Sequence, residues 1–406
     1  MKIAIVSPYP PSKTTLNEYA FHLINQFKTK KEVSEIVILS DELPEGQEYQ
    51  NVEGECPVRI RTCWSFNSLK NLFTIRKAIK EEQPDVVLYN VQFLSFGSSK
   101  IAATLGLLSP LVSRLSGTPS VTLLHNIVET VDYESAGITK NSLMKWIFNM
   151  AGTVMTKIIL GSNLVGLTMP KYVNIIEKKY GAKNVALLPH GSFETPPVPS
   201  FEIPKGKKQI MTFGKFGTYK KVEKMIEAVE LVRERTGEEL EIVVAGTDNP
   251  NVKGYLENVE KTYSHVPDMR FTGYVEEEDV ATIFGDSAVV VFPYTSTTGS
   301  SGVLHQAGAY GKAVVMPNIG DLKELIEEEG YAGEFFEPDN VEDMADAIQK
   351  LVVDEDHRTK IAEKNYAAAA SLPMDDIADW YLMHFETLSK QKRKTSKKYA
   401  KQLKAA

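Results

Sequence analysis

Phe292 to Val315 reads FPYTSTTGSSGVLHQAGAYGKAVV, and the fold and the chemistry of the chain both turn on it. The apolar run Ala288 to Phe292 in front of it predicts a buried strand. A loop of Thr, Gly and Ser with little bulk follows, and then a helix is expected over Gly302 to Tyr310. A glycine- and serine-rich loop feeding a helix start offers a row of unpaired backbone N–H groups at a positive dipole end, which suits a phosphate. Gly299 and Gly302 let backbone approach a ligand closely. Thr297, Thr298, Ser300 and Ser301 add hydroxyl donors. The same letters also suit an ordinary loop capped by serines, so the surroundings decide.

Those surroundings resemble the second half of family 4 (group 1) retaining glycosyltransferases. The pattern of that family at this place is a proline, a short loop and then E-G-F-G-x-P-x-x-E-A-x-x-x-G-x-P-V-V. Pro293, Gly299, Ala307, Gly311, Val314 and Val315 fall into register with it, whereas the two glutamates of its E-x7-E signature align with Thr298 and Gln306. The resemblance implies an α/β GT-B fold, two doubly wound parallel-sheet domains facing a cleft. It implies that Thr298, Gly299, Ser300, Ser301, Gly302, Val303 and Gln306 contact a nucleotide diphosphate sugar, which is substrate and not cofactor. No cofactor and no metal is expected.

A chain of 406 residues is long for one core and suggests two domains. The expected division is 1–192 for an acceptor-side domain, 193–208 for a linker and 209–373 for a donor domain. A helix over 374–389 crosses back to the first domain, and a basic tail occupies 390–406. With 43% hydrophobic and 24% charged residues the composition is that of a folded protein. MKIAIVSPYPPS has too short an apolar run for a signal peptide and reads as a strand. No apolar run is long enough to span a bilayer. Cys56 and Cys63 give no disulfide framework and no familiar metal spacing, so a reducing cytosol is the expected compartment.

The net charge of −7 hides an asymmetry. From Lys390 to Ala406 there are eight cations and no acid, which leaves about −15 on the rest of the chain. Such a tail touches anionic lipid, as a peripheral membrane attachment, or holds to the chain's own acidic surface, or stays a disordered solubilising segment. An acidic body excludes a general nucleic-acid surface.

Taken in order, KIAIVS (Lys2 to Ser7) is a short apolar run of the kind buried on both faces of a parallel sheet. A loop then leads to a helix over Leu16 to Phe27. In the resembled family this loop carries a Gly-Gly pair that faces the donor phosphate; here it reads Thr14-Thr15. The threonines serve either as donors to an oxyanion or as caps of the helix. Strands follow at Glu35 to Leu39, Val58 to Arg61 and Asp85 to Tyr89, with a helix near Ser68 to Glu82. This alternation is the βαβ signature. Ile101 to Leu115, apolar on nearly all sides, reads as a buried helix, with a membrane patch through Leu105, Leu107 and Leu108 as the alternative. Ser120 to Leu124 runs into His125, at the carboxyl end of a parallel strand, where open α/β sheets bind ligands. The resemblance directs His125 at the donor sugar; the alternative is a structural histidine. A helix over Ser142 to Met155 places Leu143, Trp146, Ile147 and Met150 at helical spacing, with core packing as the default and a membrane-touching face as the alternative. KIILG (Lys157 to Gly161) begins another strand, and VALLPHG (Val185 to Gly191) closes the first domain with a Pro-His-Gly similar to the family's.

The run SFETPPVPSFEIPKGKK lacks periodicity and is the expected linker. QIMTFG (Gln209 to Gly214) opens the second domain as a strand, followed by KFGTYKK and an amphipathic helix. The family's G-R-x4-K-G, whose cations hold the donor diphosphate, maps onto Lys215 and Lys220. Lys215 stands for an Arg, so it supplies a point charge without a bidentate fork. MRFTGYV (Met269 to Val275) resembles the element that meets the nucleotide base, so Tyr274 either stacks on that base or fills the sheet edge. The resemblance thus implies a retaining glycosyltransferase that moves a hexose to a glycan, lipid-linked or small-molecule acceptor, with His125, Lys215 and Lys220 as its catalytic groups. The departures at Thr14-Thr15, Thr298 and Gln306 favour instead a relative that binds nucleotide sugar or a partner without turnover.

Overall fold

In a computed structural model, the structure describes residues 1–50, 52, 54, 56–130, 141–193, 196–249, 252–296 and 299–405, the side chains of 393–405 excepted. Contact clustering divides the chain into two compact units, 1–129 with 142–190 and 374–406, and 130–141 with 191–373. Each is built on one parallel sheet.

The first unit contains β1 (Lys2–Val6), α1 (Asn17–Thr29), β2 (Glu35–Asp41), β3 (Val58–Trp64), α2 (Asn71–Glu82), β4 (Val86–Val91), α3 (Lys100–Leu107), α4 (Ser109–Leu115), β5 (Ser120–Leu124), α5 (Ser142–Ile159), β6 (Leu164–Leu167), α6 (Pro170–Tyr180) and β7 (Val185–Leu187). The strand order is β3-β2-β1-β4-β5-β6-β7, parallel throughout. β1, β4 and β5 are the near-continuous apolar runs, and all but their ends are fully buried, as strands covered on both faces must be.

The second unit contains β8 (Lys208–Phe216), α7 (Val222–Thr236), β9 (Leu240–Asp248), α8 (Tyr255–Thr262), β10 (Met269–Gly273), α9 (Glu277–Asp286), β11 (Ser287–Val291), α10 (Gly302–Ala309), β12 (Ala313–Pro317), α11 (Gly320–Glu329), β13 (Glu334–Phe336), α12 (Val341–Val353) and α13 (Glu355–Ala370). Its order, β10-β9-β8-β11-β12-β13, is again parallel. The chain ends in α14 (Met374–Ala405), which belongs to the first unit.

The fold class is the expected one, two doubly wound parallel sheets. Four local expectations are corrected. KIILG is no strand: α5 runs on through Ile159, and the strand comes later, at Leu164–Leu167. Ile101 to Leu115 is two helices, because Pro110 lacks the N–H that a continuous helix needs and takes a first-turn position in α4. The apolar stripe of α5 is not core: Leu143, Trp146 and Met150 are exposed. The threonines do not cap α1, whose N-cap is Leu16 in the left-handed region with φ 78° and no side-chain cap bond.

The proline-rich run, as far as it is described, lies on α13. The Tyr366 hydroxyl donates to Pro196 O at 2.8 Å and the Arg358 guanidinium to Phe201 O at 2.9 Å. The backbone of the expected tail continues α14 as helix, in keeping with its Lys, Gln and Ala residues.

Candidate functional site

In each sheet the strand order reverses at one place, between β1 and β4 in the first and between β8 and β11 in the second. Carboxyl ends of strands at such a switch point leave a crevice between crossovers that diverge to either side. Of the described residues singled out from the sequence, Thr14, Thr15, Lys215, Lys220 and those from Gly299 to Gln306 follow or end the strands at these two places, His125 follows the next strand, β5, and Tyr274 follows the edge strand β10.

In the second unit the loops after β8 and β11 are stitched together. Lys221 N donates to Pro293 O at 2.8 Å and Thr295 N to Tyr219 O at 2.8 Å, and Lys220 and Tyr294 form an antiparallel bridge. Lys220 is only 8% exposed. Among the described residues its ammonium meets the Phe213 carbonyl at 3.4 Å and the face of Tyr294 at 4.7 Å. Burial, and then the charge of Lys215, pull its pKa down to about 8. A buried ammonium with three donors and one carbonyl acceptor is short of negative charge. Gly214 makes the room for it, since a Cβ there would lie 2.6 Å from Lys220 Nζ. Lys215 sits inside β8, which runs two residues beyond its expected end at Gly214, and lies opposite Thr247 of β9.

The quoted loop leaves β11, the strand next to β8, and leads into α10. The N-cap is Ser301, whose Oγ accepts from Leu304 N at 3.4 Å. The amides of Gly302 and Val303 lie in the first turn and have no intrahelical acceptor. Gly299, at φ 90°, gives its N–H to Asp321 Oδ2 at 3.1 Å. Ser300 Oγ is 3.0 Å from His305 Nε2, and His305 Nδ1 is 2.9 Å from the Tyr331 hydroxyl and 3.6 Å from Glu329. Burial, then Glu328, push the Glu329 carboxyl up to about 8. Gln306 is buried in α10, and Tyr274 is half exposed just past β10. Thr297 and Thr298 lie outside the described residues.

In the first unit Ser7 follows β1, Asn90 sits in β4 and His125 follows β5. Asn90 Nδ2 donates to Ser7 Oγ at 2.9 Å and to Leu16 O at 3.3 Å, which turns its Oδ1 toward His125 Nε2 at 2.6 Å. His125 therefore carries its proton on Nε2. Burial first and His190 second press its pKa down to about 3, so it is neutral at pH 7 and acts as a hydrogen-bonding group, not as a cation. Tyr19 sets its ring edge against both imidazoles, at 4.7 Å from His125 and 4.9 Å from His190.

The Thr14 hydroxyl, expected to face a phosphate, donates to Asp41 Oδ2 at 3.0 Å; Ser12 donates to the same oxygen at 2.7 Å. Ser40 and Tyr49 complete the shell of Asp41 through Oδ1 at 3.1 and 3.0 Å. Thr15 is exposed beside it. Four polar residues of the site thus escaped the sequence reading: Asp41, Asn90, Asp321 and Glu329. Asn90 alone carried a signal, as a polar residue inside a strand otherwise fully apolar.

Residues 198–368 match the family described as glycosyl transferases group 1. A sulfoquinovosyl transferase of Arabidopsis thaliana is 30% identical over 159 residues, which are 39% of this chain and 29% of that protein. The match therefore spans less than a third of that relative's length. Among solved structures, the sucrose-phosphate synthase of Thermosynechococcus elongatus superposes with a TM-score of 0.74 at 15% identity, covering 96% of this chain and 99% of that one. The HepE protein of Anabaena, in complex with UDP and glucose, gives 0.68 at 17% identity, covering 95% and 100%. At these identities the likeness is one of fold, and that fold is GT-B.

Proposed function

We propose that this chain, similar to glycosyl transferases group 1, moves a hexose from a nucleoside diphosphate sugar to an acceptor hydroxyl with retention at the anomeric carbon. The observation that carries the reading is the buried, under-neutralised ammonium of Lys220 at the switch point of the second sheet, where the neighbouring strand β11 leads through its loop into α10. Lys220, with Lys215 near it, faces the negative charge that builds on the leaving diphosphate. Gly302 and Val303 add amide donors, and Gln306 a side-chain acceptor for a ribose hydroxyl. The leaving phosphate takes the acceptor's proton, so the reaction needs no protein nucleophile, and Gln306 in place of a glutamate does not stop it. Neutral His125, its Nε2–H held by Asn90, orients the sugar through its other nitrogen.

A panel of UDP-glucose, UDP-N-acetylglucosamine and GDP-mannose, each labelled in the sugar and incubated with the protein and cell extract, tests this. Transfer or slow hydrolysis of one donor is the expected result. Neither binding nor turnover across the panel rejects it. Binding without turnover selects the second reading, an inactive nucleotide-sugar-binding relative. That reading is favoured by the engagement of Thr14 and Gly299 with Asp41 and Asp321.

A further inference from the structure

The helical layer formed by α2, α3, α4 and α5 carries a surface that donor chemistry leaves unused. These helices pack side by side, and in right-handed crossovers α2, α3 and α5, each the first helix after its strand, begin toward the carboxyl edge of the sheet. Phe73 in the first turn of α2, Ile101 in the first turn of α3 and Trp146 near the start of α5 are therefore brought to one edge. They are 67%, 66% and 60% exposed. Leu69 and Leu94, in the loops at the same edge, are exposed too, and Met150 extends the surface down α5. The segments are tied to one another. Asn67 N donates to Phe96 O at 2.9 Å, Ser99 N donates to Asn67 Oδ1 at 3.0 Å, and Lys100 Nζ lies 5.0 Å from the Phe148 ring.

Charge on these segments is one-sided. The chain has 53 acids among its 406 residues, yet 66–80, 92–128 and 141–176 contain none, while Lys70, Lys77, Lys100 and Lys157 stand exposed on them. The nearest acids along α2, Glu81 and Glu82, lie at its far end and are paired with Arg61 and Arg59, with the exposed Lys77 ammonium 3.9 Å from Glu81. Glu129, between β5 and α5, is engaged by Lys179 and Tyr180, and residues 131–140, with Asp132 and Glu134, lie outside the described ones. Among these described segments, an apolar edge with a tryptophan, long-stemmed lysines and no acid of its own, on a protein of net negative charge, matches the interface of an anionic bilayer in both its parts.

We propose that this edge seats on a membrane surface rich in anionic lipid, with Phe73, Ile101, Trp146 and Met150 entering the headgroup boundary and the lysines meeting lipid phosphates. The assignment does not rest on the transferase reading, and its test measures binding and not turnover. The full chain is mixed with vesicles of phosphatidylcholine, with or without phosphatidylglycerol, and followed by flotation and tryptophan fluorescence. Binding is expected only with phosphatidylglycerol, with a blue shift that disappears in Trp146→Ala. Each of Lys70→Gln, Lys77→Gln and Lys100→Gln weakens partitioning about fivefold at low salt. Phe73→Ser with Ile101→Ser weakens it by about tenfold or more. These side chains are exposed, and an unchanged thermal transition confirms the fold; should the double variant unfold, Trp146→Ala and the lysine set still decide. Three results overturn the proposal. One is the absence of phosphatidylglycerol-dependent binding. Another is binding kept by the edge variants and lost when the lysines after Gln391 are neutralised, which makes the tail the anchor. The third is a lipid-independent dimer that the edge variants dissolve, which makes a second copy of the chain the occupant.

Discussion

Lys220 sets what the site can hold, because its charge is conditional. Free, it titrates near 8; an anion beside it favours the charged form and raises that value. Donor binding therefore takes up a proton at about pH 9, and affinity falls as pH rises through about 8. Titration calorimetry in two buffers of different ionisation enthalpy measures that uptake; a flat affinity from about pH 7 to 9 would place the diphosphate elsewhere. Lys220→Ala should weaken donor binding by about 1.5–3 kcal/mol, the range for a charged hydrogen bond. Gln306→Ala should cost about 1–2 kcal/mol, a neutral hydrogen bond lost with its partner left unpaired. Gln keeps one carbonyl acceptor for a ribose hydroxyl and adds no charge near the diphosphate, which is why the smaller figure applies. An unchanged donor affinity in a folded Gln306→Ala protein would make that side chain structural. Of these residues Lys215, Lys220, His125 and Gln306 were singled out in the sequence by the resemblance to the glycosyltransferase pattern, laid on strand ends and helix starts that apolar periodicity locates. Asp41 and Asp321 were not. A carboxylate that fixes a loop through backbone and hydroxyl donors leaves no periodic trace, and the loop donors Ser12, Thr14 and Gly299 are 22 residues or more from their carboxylates in the chain.

At the scale of elements, the loop before α10 is held from behind. Glu329, at the end of α11, and Tyr331 flank the buried His305, which reaches forward to Ser300. The raised carboxyl of Glu329 binds its proton more tightly in the folded chain than in the unfolded one, so stability declines as pH rises from about 4.5 to about 8. Glu329→Gln should remove that decline and gain on the order of 1–2 kcal/mol at pH 8, the scale of a buried unpaired polar group. Urea unfolding at pH 5 and pH 8 checks it, and equal slopes for the two proteins would contradict it. Elements were readable where burial and propensity agree, as at Ser120 to Leu124, a run buried on both faces and found with those bounds. They misled where a short apolar run serves equally as the last turn of a helix. KIILG has strand letters, yet Thr156 and Ile159 are buried along one stripe of α5, and this tertiary packing prevailed over β-propensity. The exposed stripe of α5 could not be told from a core stripe by periodicity, since period reports which residues share a face and not what covers it.

For the whole molecule, the order of the chain and the division into units do not coincide. The first unit is closed by residues that come last. Tyr381 and Phe385 of α14 are fully buried against Phe27 of α1, at ring distances of 6.0 and 5.9 Å, and the Tyr381 hydroxyl lies 3.3 Å from that of Tyr19. Lys30, just past α1, binds Asp375 at 2.8 Å and Asp379 at 2.7 Å. Tyr19 in turn packs on His125 and His190, so α14 supports the imidazole at the candidate site through one aromatic layer. Phe385→Ala opens a cavity in that layer and should destabilise the first unit by about 3–5 kcal/mol, the usual cost of a buried aromatic truncated to alanine. Lys30→Ala should cost no more than about 1 kcal/mol, because both of its partners are largely exposed. Hydrogen exchange separates the two, since Phe385→Ala should speed exchange of the α1 amides around Leu23 to Phe27 far more than Lys30→Ala does. If the two variants accelerated exchange equally, α14 would be held to α1 by charge and not by its aromatic face. The aromatic layer would then have no leverage on His125.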